Sequence, residues 1–379
     1  MKLTTARTQF ILLISIILLF ATQVKAEDII NDDVKPAKSE SKTWKPEAVK
    51  YDWVQLTSGE WLKGKIKSMY NKNLEFDSDK LDLLSIDWED VKYLKSHIAS
   101  NVKIESVGTV VGMMTISDEI IIIQNNIEVQ SYNRNKIVSF TPSGDREIDL
   151  WALKLTLSTN LRSGNTEQID FTSKIAAKRR TPDSRFTLDY IGNISKTNAV
   201  TGALEETLNN HRLFGGLDIY VTRYFFYNPI NAEYFRDPFQ NVDQRITIGS
   251  GLGYVIKDTS KFEWNLTAGP AYISTKYISV QPGEDIQIDS GSLSISTDLD
   301  AEITKRLDFI YKYNIQLSNK ASGGYTHYMI ATLESEITGD LDFDISAVWD
   351  RISHPTVDDL GNIPEPNDFR FLFGVSYSF

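Results

Sequence analysis

Through its second half the chain alternates apolar and polar residues one by one, the two-residue period of a β-strand with unlike faces. Residues 292–303 set Leu293, Ile295, Leu299, Ala301 and Ile303 against Ser294, Ser296, Asp298, Asp300 and Glu302, interrupted at Thr297. The next segment repeats this, with Phe309, Tyr311, Tyr313, Ile315 and Leu317 against Lys312, Asn314, Gln316 and Ser318. The final stretch is the most regular: Phe369, Phe371, Phe373, Val375, Tyr377 and Phe379 alternate with Arg370, Leu372, Gly374, Ser376 and Ser378. Twelve such segments fall near 149–159, 167–179, 185–195, 208–222, 223–236, 243–256, 261–274, 289–304, 308–319, 325–338, 340–352 and 367–379. Short links (181–184, 222–223, 257–260, 304–307, 338–340) alternate with longer ones such as 196–207, 275–288 and 353–366. Short turns on one side and longer loops on the other are the habit of transmembrane β-barrels. The pattern therefore predicts an all-β chain whose main part, 149–379, is a twelve-stranded antiparallel transmembrane barrel. A soluble β sandwich or barrel of equal length is the competing reading, and it would show no such asymmetry of links. Trp151, Trp264 and Trp349, with Tyr254, Tyr272, Tyr377 and Phe379, sit near strand ends, where an aromatic belt meets the membrane interface.

Upstream the alternation repeats itself. Val54, Leu56, Leu62, Gly64 and Ile66 are answered, 48 residues later, by Val102, Ile104, Val110, Gly112 and Met114. Each copy continues into a second apolar strand (73–76, then 119–123). Each then sets an aromatic before a β-branched residue, Trp88 with Val91 and Tyr132 with Ile137. Short strands and turns, twice over, predict a small β domain over 50–145 with two repeats, about 50–97 and 98–145. The expected form is two tandem five-stranded barrels like SH3-like or Sm-like modules. No ligand motif appears in either copy. Residues 27–49 are polar and read as a disordered linker. At the N-terminus, Lys2 and Arg7 precede the apolar run Phe10–Ala21 and the small-residue site Val24-Lys25-Ala26, the pattern of an export signal over 1–26. That run is too short for a transmembrane helix, which needs about 20 residues. With an even strand number both barrel ends lie on the inner side, which puts the 50–145 domain in the periplasm.

Charge and rare residues narrow the chemistry. Fifty-one acidic against 40 basic side chains, a net charge of −11, argue against a nucleic-acid partner. The absence of cysteine removes disulfides, thiolate metal sites and cysteine nucleophiles. His97, His211, His327 and His354 are scattered, so neither a metal nor another cofactor is expected. An outer-membrane hydrolase would need a serine–histidine constellation, and neither His211 nor His327 has the local pattern. His211, beside Arg212, reads as a solvated lumen or loop residue. Glu334 with Glu336 and Asp342 with Asp344 could suggest glycosidase carboxylates, but a spacing of two on a strand simply faces both into the lumen. Asp358 and Asp359 lack the spacing of a calcium loop. The chain does not read as an enzyme.

The lumen pattern carries more. With the polar phase inward, Asp298, Asp300, Glu302, Glu334, Glu336, Asp342, Asp344 and Asp350 form an acidic arc. Lys154, Lys174, Lys178, Arg185, Arg212 and Arg370 form a basic arc opposite, with Asp170, Asp189 and Asp218 mixed in. Such transverse separation orients polar solutes in water-filled pores. The same charges could instead pair across the lumen and close it. Twelve strands lie between filled eight-stranded and open sixteen-stranded barrels, so both states are open at this point. The expected function is a small passive channel for ions or small polar solutes. The alternative is a non-conducting anchor presenting the 50–145 domain to a periplasmic protein or cell-wall partner.

Trp151, the loop Ser163-Gly164-Asn165-Thr166 and the runs Arg223-Tyr224-Phe225-Phe226-Tyr227 and Glu233-Tyr234-Phe235-Arg236-Asp237-Pro238-Phe239 carry a family likeness. Arg245–Tyr254, with Gly249, Gly251 and Gly253, and then Ala268-Gly269-Pro270 continue it in order. Together they resemble the salt-induced outer-membrane proteins, domain of unknown function 481, over about 149–379. The resemblance implies a barrel in the outer membrane of a Gram-negative bacterium and a link to osmotic or salt conditions, and brings no known reaction. The last strand also resembles the C-terminal strand of bacterial outer-membrane proteins. That likeness implies that Val375, Tyr377 and Phe379 are a signal for the barrel-insertion machinery. Outer-membrane lipid and lipopolysaccharide are the surrounding partners so implied.

Overall fold

The computed structural model describes residues 45–144, 146–162, 168–198 and 204–379; the expected export signal and most of the expected linker lie outside them. Alternation dictates strands, and strands are what form, joined by turns and a few single 3-10 turns.

The N-terminal domain holds β1 (Asp52–Leu56), β2 (Trp61–Tyr70), β3 (Asn73–Ser78), β4 (Asp82–Asp87), β5 (Val91–Ile104), β6 (Gly108–Ile116), β7 (Ile120–Gln124), β8 (Val129–Asn133) and β9 (Ile137–Pro142). The internal repeat is visible in the register: Asp52 pairs Gly64 and Val54 pairs Leu62, while Ser100 pairs Gly112 and Val102 pairs Val110. Two separate five-stranded barrels do not form. β5, 14 residues long, runs through both copies, and the described strands make one sheet in the order β4-β3-β2-β1-β5-β6-β7-β8. β9 pairs with β5 and, at Met69–Phe140, with β2. β1, β2, β9 and β5 thus close a small ring around one core. Its side chains, Val54, Leu74, Phe76, Leu94, Ile104, Met114 and Phe140 among them, are fully buried.

The second part holds β10 (Trp151–Arg162), β11 (Gln168–Arg180), β12 (Ser184–Asn198), β13 (Leu204–Tyr220), β14 (Phe225–Asp237) and β15 (Val242–Thr259). It continues with β16 (Phe262–Tyr277), β17 (Gln287–Thr304), β18 (Leu307–Leu317), β19 (Tyr325–Thr338), β20 (Leu341–Ile352) and β21 (Asn367–Ser378). Among the described residues these twelve strands form a closed antiparallel barrel in chain order. β21 returns to β10 with Lys154 opposite Ser378 and Ser158 opposite Gly374, and Phe379 donates its backbone N–H to the Leu153 carbonyl at 2.8 Å. Closure leaves no free sheet edge, which a strand needs if it is to live in hydrocarbon. The outward phase is apolar and exposed, with Leu252, Phe371 and Phe373 among its residues, whereas Thr275, Ser346 and Ser376 on the inward phase are fully buried.

Short turns at 181–183, 221–224, 260–261, 305–306 and 339–340 gather at one end, and the N-terminal domain sits there. Lys103 Nζ lies 2.6 Å from Asp183 Oδ1, Thr109 Oγ1 donates to the same carboxylate at 2.8 Å, and Ser139 Oγ donates to the Pro182 carbonyl at 3.3 Å. The β2–β3 hairpin tip reaches furthest in. Asn71, in the left-handed region at φ 49°, accepts from Arg180 Nη2 at 2.7 Å and donates to Glu263 on the inner wall. The Arg180 guanidinium stacks over the Tyr70 ring at 4.3 Å. At the opposite end, Phe235, Val242, Tyr277 and Ile352, packed with Val280 and Ile288, form an apolar cluster. Asn241 Nδ2 ties the loops above it by donating to the carbonyls of Ser279 and Thr356, at 2.8 and 3.3 Å.

Candidate functional site

Strand phase decides which side chains enter the lumen. Lys154, Lys174, Lys178, Arg185, Arg212, Asp298, Asp300, Glu334 and Asp344 line a single chamber of about 340 Å³. Asp342, Asp350 and Arg370 share that inward phase: Asp342 and Asp350 pair with the lining residues Lys154 and Arg212, and Arg370 pairs with Asp350. Glu302 and Glu336 share it too and lie exposed toward the short-turn end of β17 and β19.

The charges sort into layers along the barrel. Nearest the apolar cluster, Arg212 pairs with Glu233 at 2.8 Å and Asp350 at 2.7 Å, and Asp350 also receives Arg370. The rings of Phe235 and Tyr328 each lie 4.3 Å from the Arg212 guanidinium. Arg245, 3% exposed, donates from Nε to Thr275 Oγ1 at 3.1 Å. Along the β10–β21 seam, Lys154 is held by Glu334 and by Asp342 at 2.8 Å, and Lys174 by Asp344 at 3.3 Å. Ser376 and Thr156 also donate to Asp344. Toward the short turns, Arg185 pairs with Asp218 and Glu263, each at 2.9 Å, and Glu263 also takes the Asn71 amide of the N-terminal domain. Lys312 reaches Asp189 at 2.6 Å. Arg212–Asp350 and Lys312–Asp189 run between strands far apart around the wall, so they strut the lumen. Buried charges left unpaired would cost several kcal/mol each.

Three lumen charges are not used up this way. Asp298, Asp300 and Lys178 make no hydrogen bond or ion pair among the described residues, and both carboxylates stay exposed although they face inward. Serines and small residues flank them: Ser294 and Ser296 on β17, Asn265, Thr267 and Gly269 on β16. On β15, Gly249, Gly251 and Gly253 let neighbouring groups approach the backbone closely. Gly253 is required there, because a Cβ would fall 2.0 Å from the Phe226 ring that crosses it. Eight carboxylates and six cations line the chamber in all.

Sequence reading missed Lys312, Glu233, Glu263 and Arg245, although each sat in the polar phase of its strand. It also misplaced His211, which is neither in the lumen nor in a loop. Arg212 and Asn210 take the inward positions, so His211 faces outward and is paired across the strands with Gly192. His327 likewise faces outward, beside inward Tyr328. Among the described residues no group of three or more His, Asp or Glu is arranged to hold a metal ion.

A family model described as "Protein of unknown function, DUF481" matches residues 155–379. No curated protein matches the chain. Of solved structures, the NanC porin is similar at 10% identity over 59% of this chain and 98% of its own, with a TM-score of 0.36. The translocator domain of autotransporter NalP from Neisseria meningitidis is similar at 9% identity over 60% and 87%, with a TM-score of 0.32. The outer membrane channel DcaP of Acinetobacter baumannii is similar at 12% identity over 87% and 94%, with a TM-score of 0.28.

Proposed function

We propose, for a chain that belongs to the family described as Protein of unknown function, DUF481, a narrow outer-membrane channel for small cations and small polar solutes. The single observation that carries this reading is the chamber with Asp298 and Asp300 exposed and unpaired inside a closed wall. A barrel serving only as an anchor gains nothing from two carboxylates in its bore that no hydrogen bond or ion pair holds. Fixed charge in a narrow bore selects by sign. The excess of carboxylates over cations sets that sign toward cations. The expected export signal and the even strand number support a periplasmic short-turn end, with the N-terminal domain as a partial stopper on that mouth. Val375, Tyr377 and Phe379, exposed on the outer face, serve the insertion machinery. A tie to salt conditions rests on family resemblance alone.

A second reading has an observation of its own. The seam of Lys103–Asp183, Arg180–Asn71 and Asn71–Glu263 fixes the N-terminal domain to the barrel, as an anchor holding a docking domain would require. Planar-bilayer recording on the full chain separates the two. The channel reading expects cation-selective conductance steps. It expects that Asp298→Asn with Asp300→Asn brings the permeability ratio toward one, and that Lys103→Glu, which repels Asp183, lengthens the openings. Silence in the wild type and in Lys103→Glu alike would leave the anchor.

A further inference from the structure

Two of the four histidines stand in the same three-strand arrangement on the outer wall. Across β12–β14, Tyr190 Oη meets His211 Nδ1 at 2.9 Å, and His211 lies directly opposite Arg236. Across β18–β20, Tyr313 Oη meets His327 Nδ1 at 2.6 Å, and His327 lies directly opposite Arg351. Both sets lie toward the long-loop end and face away from the lumen.

The surroundings of the two differ. At the first, His211 Nε2 is already taken by Asn209 Oδ1 at 2.9 Å, and the same Asn209 draws in the Glu206 carboxylate at 2.9 Å. At the second, His327 Nε2 makes no hydrogen bond among the described residues. Arg351 donates to Asn367 Oδ1 at 2.8 Å and makes no ion pair among the described residues. An arginine and an imidazole with no carboxylate between them, on a surface that meets lipid, form a site for an anion. Guanidinium geometry matches a phosphate, with two parallel N–H donors. Beside it the rings of His327 and Trp349 stack at 5.2 Å, and those of Trp349 and Phe369 at 6.0 Å, making a shelf across β19–β21. Aromatic rings of this kind sit at headgroup depth in membrane barrels, the depth at which a lipid phosphate lies.

We infer that His327 and Arg351 hold the phosphate headgroup of a membrane lipid in the leaflet at the long-loop end, its acyl chains descending along the ring shelf. The inference rests on the membrane-barrel reading above. The His211–Arg236 set, with Asn209 and Glu206 occupying it, is the weaker copy.

The full chain reconstituted in phosphatidylcholine vesicles with a minor share of phosphatidic acid tests this. Vesicle flotation is followed by a count, by native mass spectrometry, of the lipid retained per chain after detergent extraction. Wild type should retain phosphatidic acid in preference to phosphatidylcholine. Arg351→Gln and His327→Gln should each weaken that retention about tenfold, as loss of one charge-assisted contact would. Arg236→Gln should change it by less than about twofold on the same scale. Glycerol phosphate in free solution should not compete. Equal retention by wild type and Arg351→Gln in a chain that floats with the vesicles would overturn this inference alone. Competition by glycerol phosphate at equal concentration would make it a free-anion site and overturn the lipid assignment. Failure to float would overturn the membrane reading, and this inference with it.

Discussion

The two parts of the chain use the same two-residue alternation in opposite senses. In the N-terminal domain the apolar phase turns inward, and Phe76, Leu94 and Phe140 are fully buried. In the barrel it turns outward: Phe371 is 70% exposed and Phe373 59%, while Ser346 and Ser376 inside are fully buried. Period therefore fixes that a strand forms and which residues share a face. It does not say which face is the interior. The surroundings decide that, since an apolar face is stable against a core or against lipid, and a polar face against water or a paired lumen.

The contrast can be broken most strongly at the domain core. Phe76→Ala should cost about 4 kcal/mol and unfold the N-terminal domain, read by denaturant melting, while the barrel keeps its heat-dependent gel mobility. In the barrel the costly interior change is the reverse, removal of a charge. Asp350→Ala strips the shared carboxylate from Arg212 and Arg370 and should cost about 3 kcal/mol; Asp350→Asn should recover part of the loss. On β21, neighbours of opposite phase should respond oppositely. Phe373→Arg on the lipid face should cost about 2 kcal/mol, whereas Leu372→Ser toward the lumen should cost under about 1 kcal/mol, both measured by urea titration in vesicles. The smallest effect lies outside the wall. Side-chain and backbone N–H groups of Asn362, with the N–H of Leu360, donate to Asp358 and hold its carboxyl below the usual carboxylate range. A depressed value means the loop clamp is fully present above the unfolded value of about 3.9 and is lost as pH falls through the lower folded one. Amide exchange in the 358–362 loop should thus be level from pH 7 to 5, after correction for intrinsic rates, and quicken only in stronger acid; Asp358→Ala should make it fast throughout.

Much of this was legible residue by residue. The strand at 325–338 appears as Tyr325–Thr338, and the short links fall where alternation lapses. Phase was readable wherever polar and apolar residues truly alternate, as on β17. It failed at Asn209-Asn210-His211-Arg212, where four polar residues in a row give no face. What no local pattern could supply is pairing between remote segments. Met69 meets Phe140, the ring closure that replaces two small barrels with one sheet. Arg212 meets Asp350 138 positions away, which turns half of a charge-separated lumen into struts. The apolar cluster at the long-loop end was illegible for the same reason, since Phe235, Val242, Tyr277 and Ile352 come from four different strands.

The most direct test uses the absence of cysteine from the whole sequence. Each single cysteine introduced along β17, from Leu293 to Ala301, carries one nitroxide in vesicles, and its exposure to oxygen and to a water-soluble nickel complex is measured. The account predicts a two-residue rhythm: Leu293, Ile295, Leu299 and Ala301 favour oxygen, which concentrates in lipid, and Ser294, Ser296, Asp298 and Asp300 favour the nickel complex. Uniform exposure, or the nickel complex reaching the odd positions, would contradict a wall with hydrocarbon on one side and a wet bore on the other.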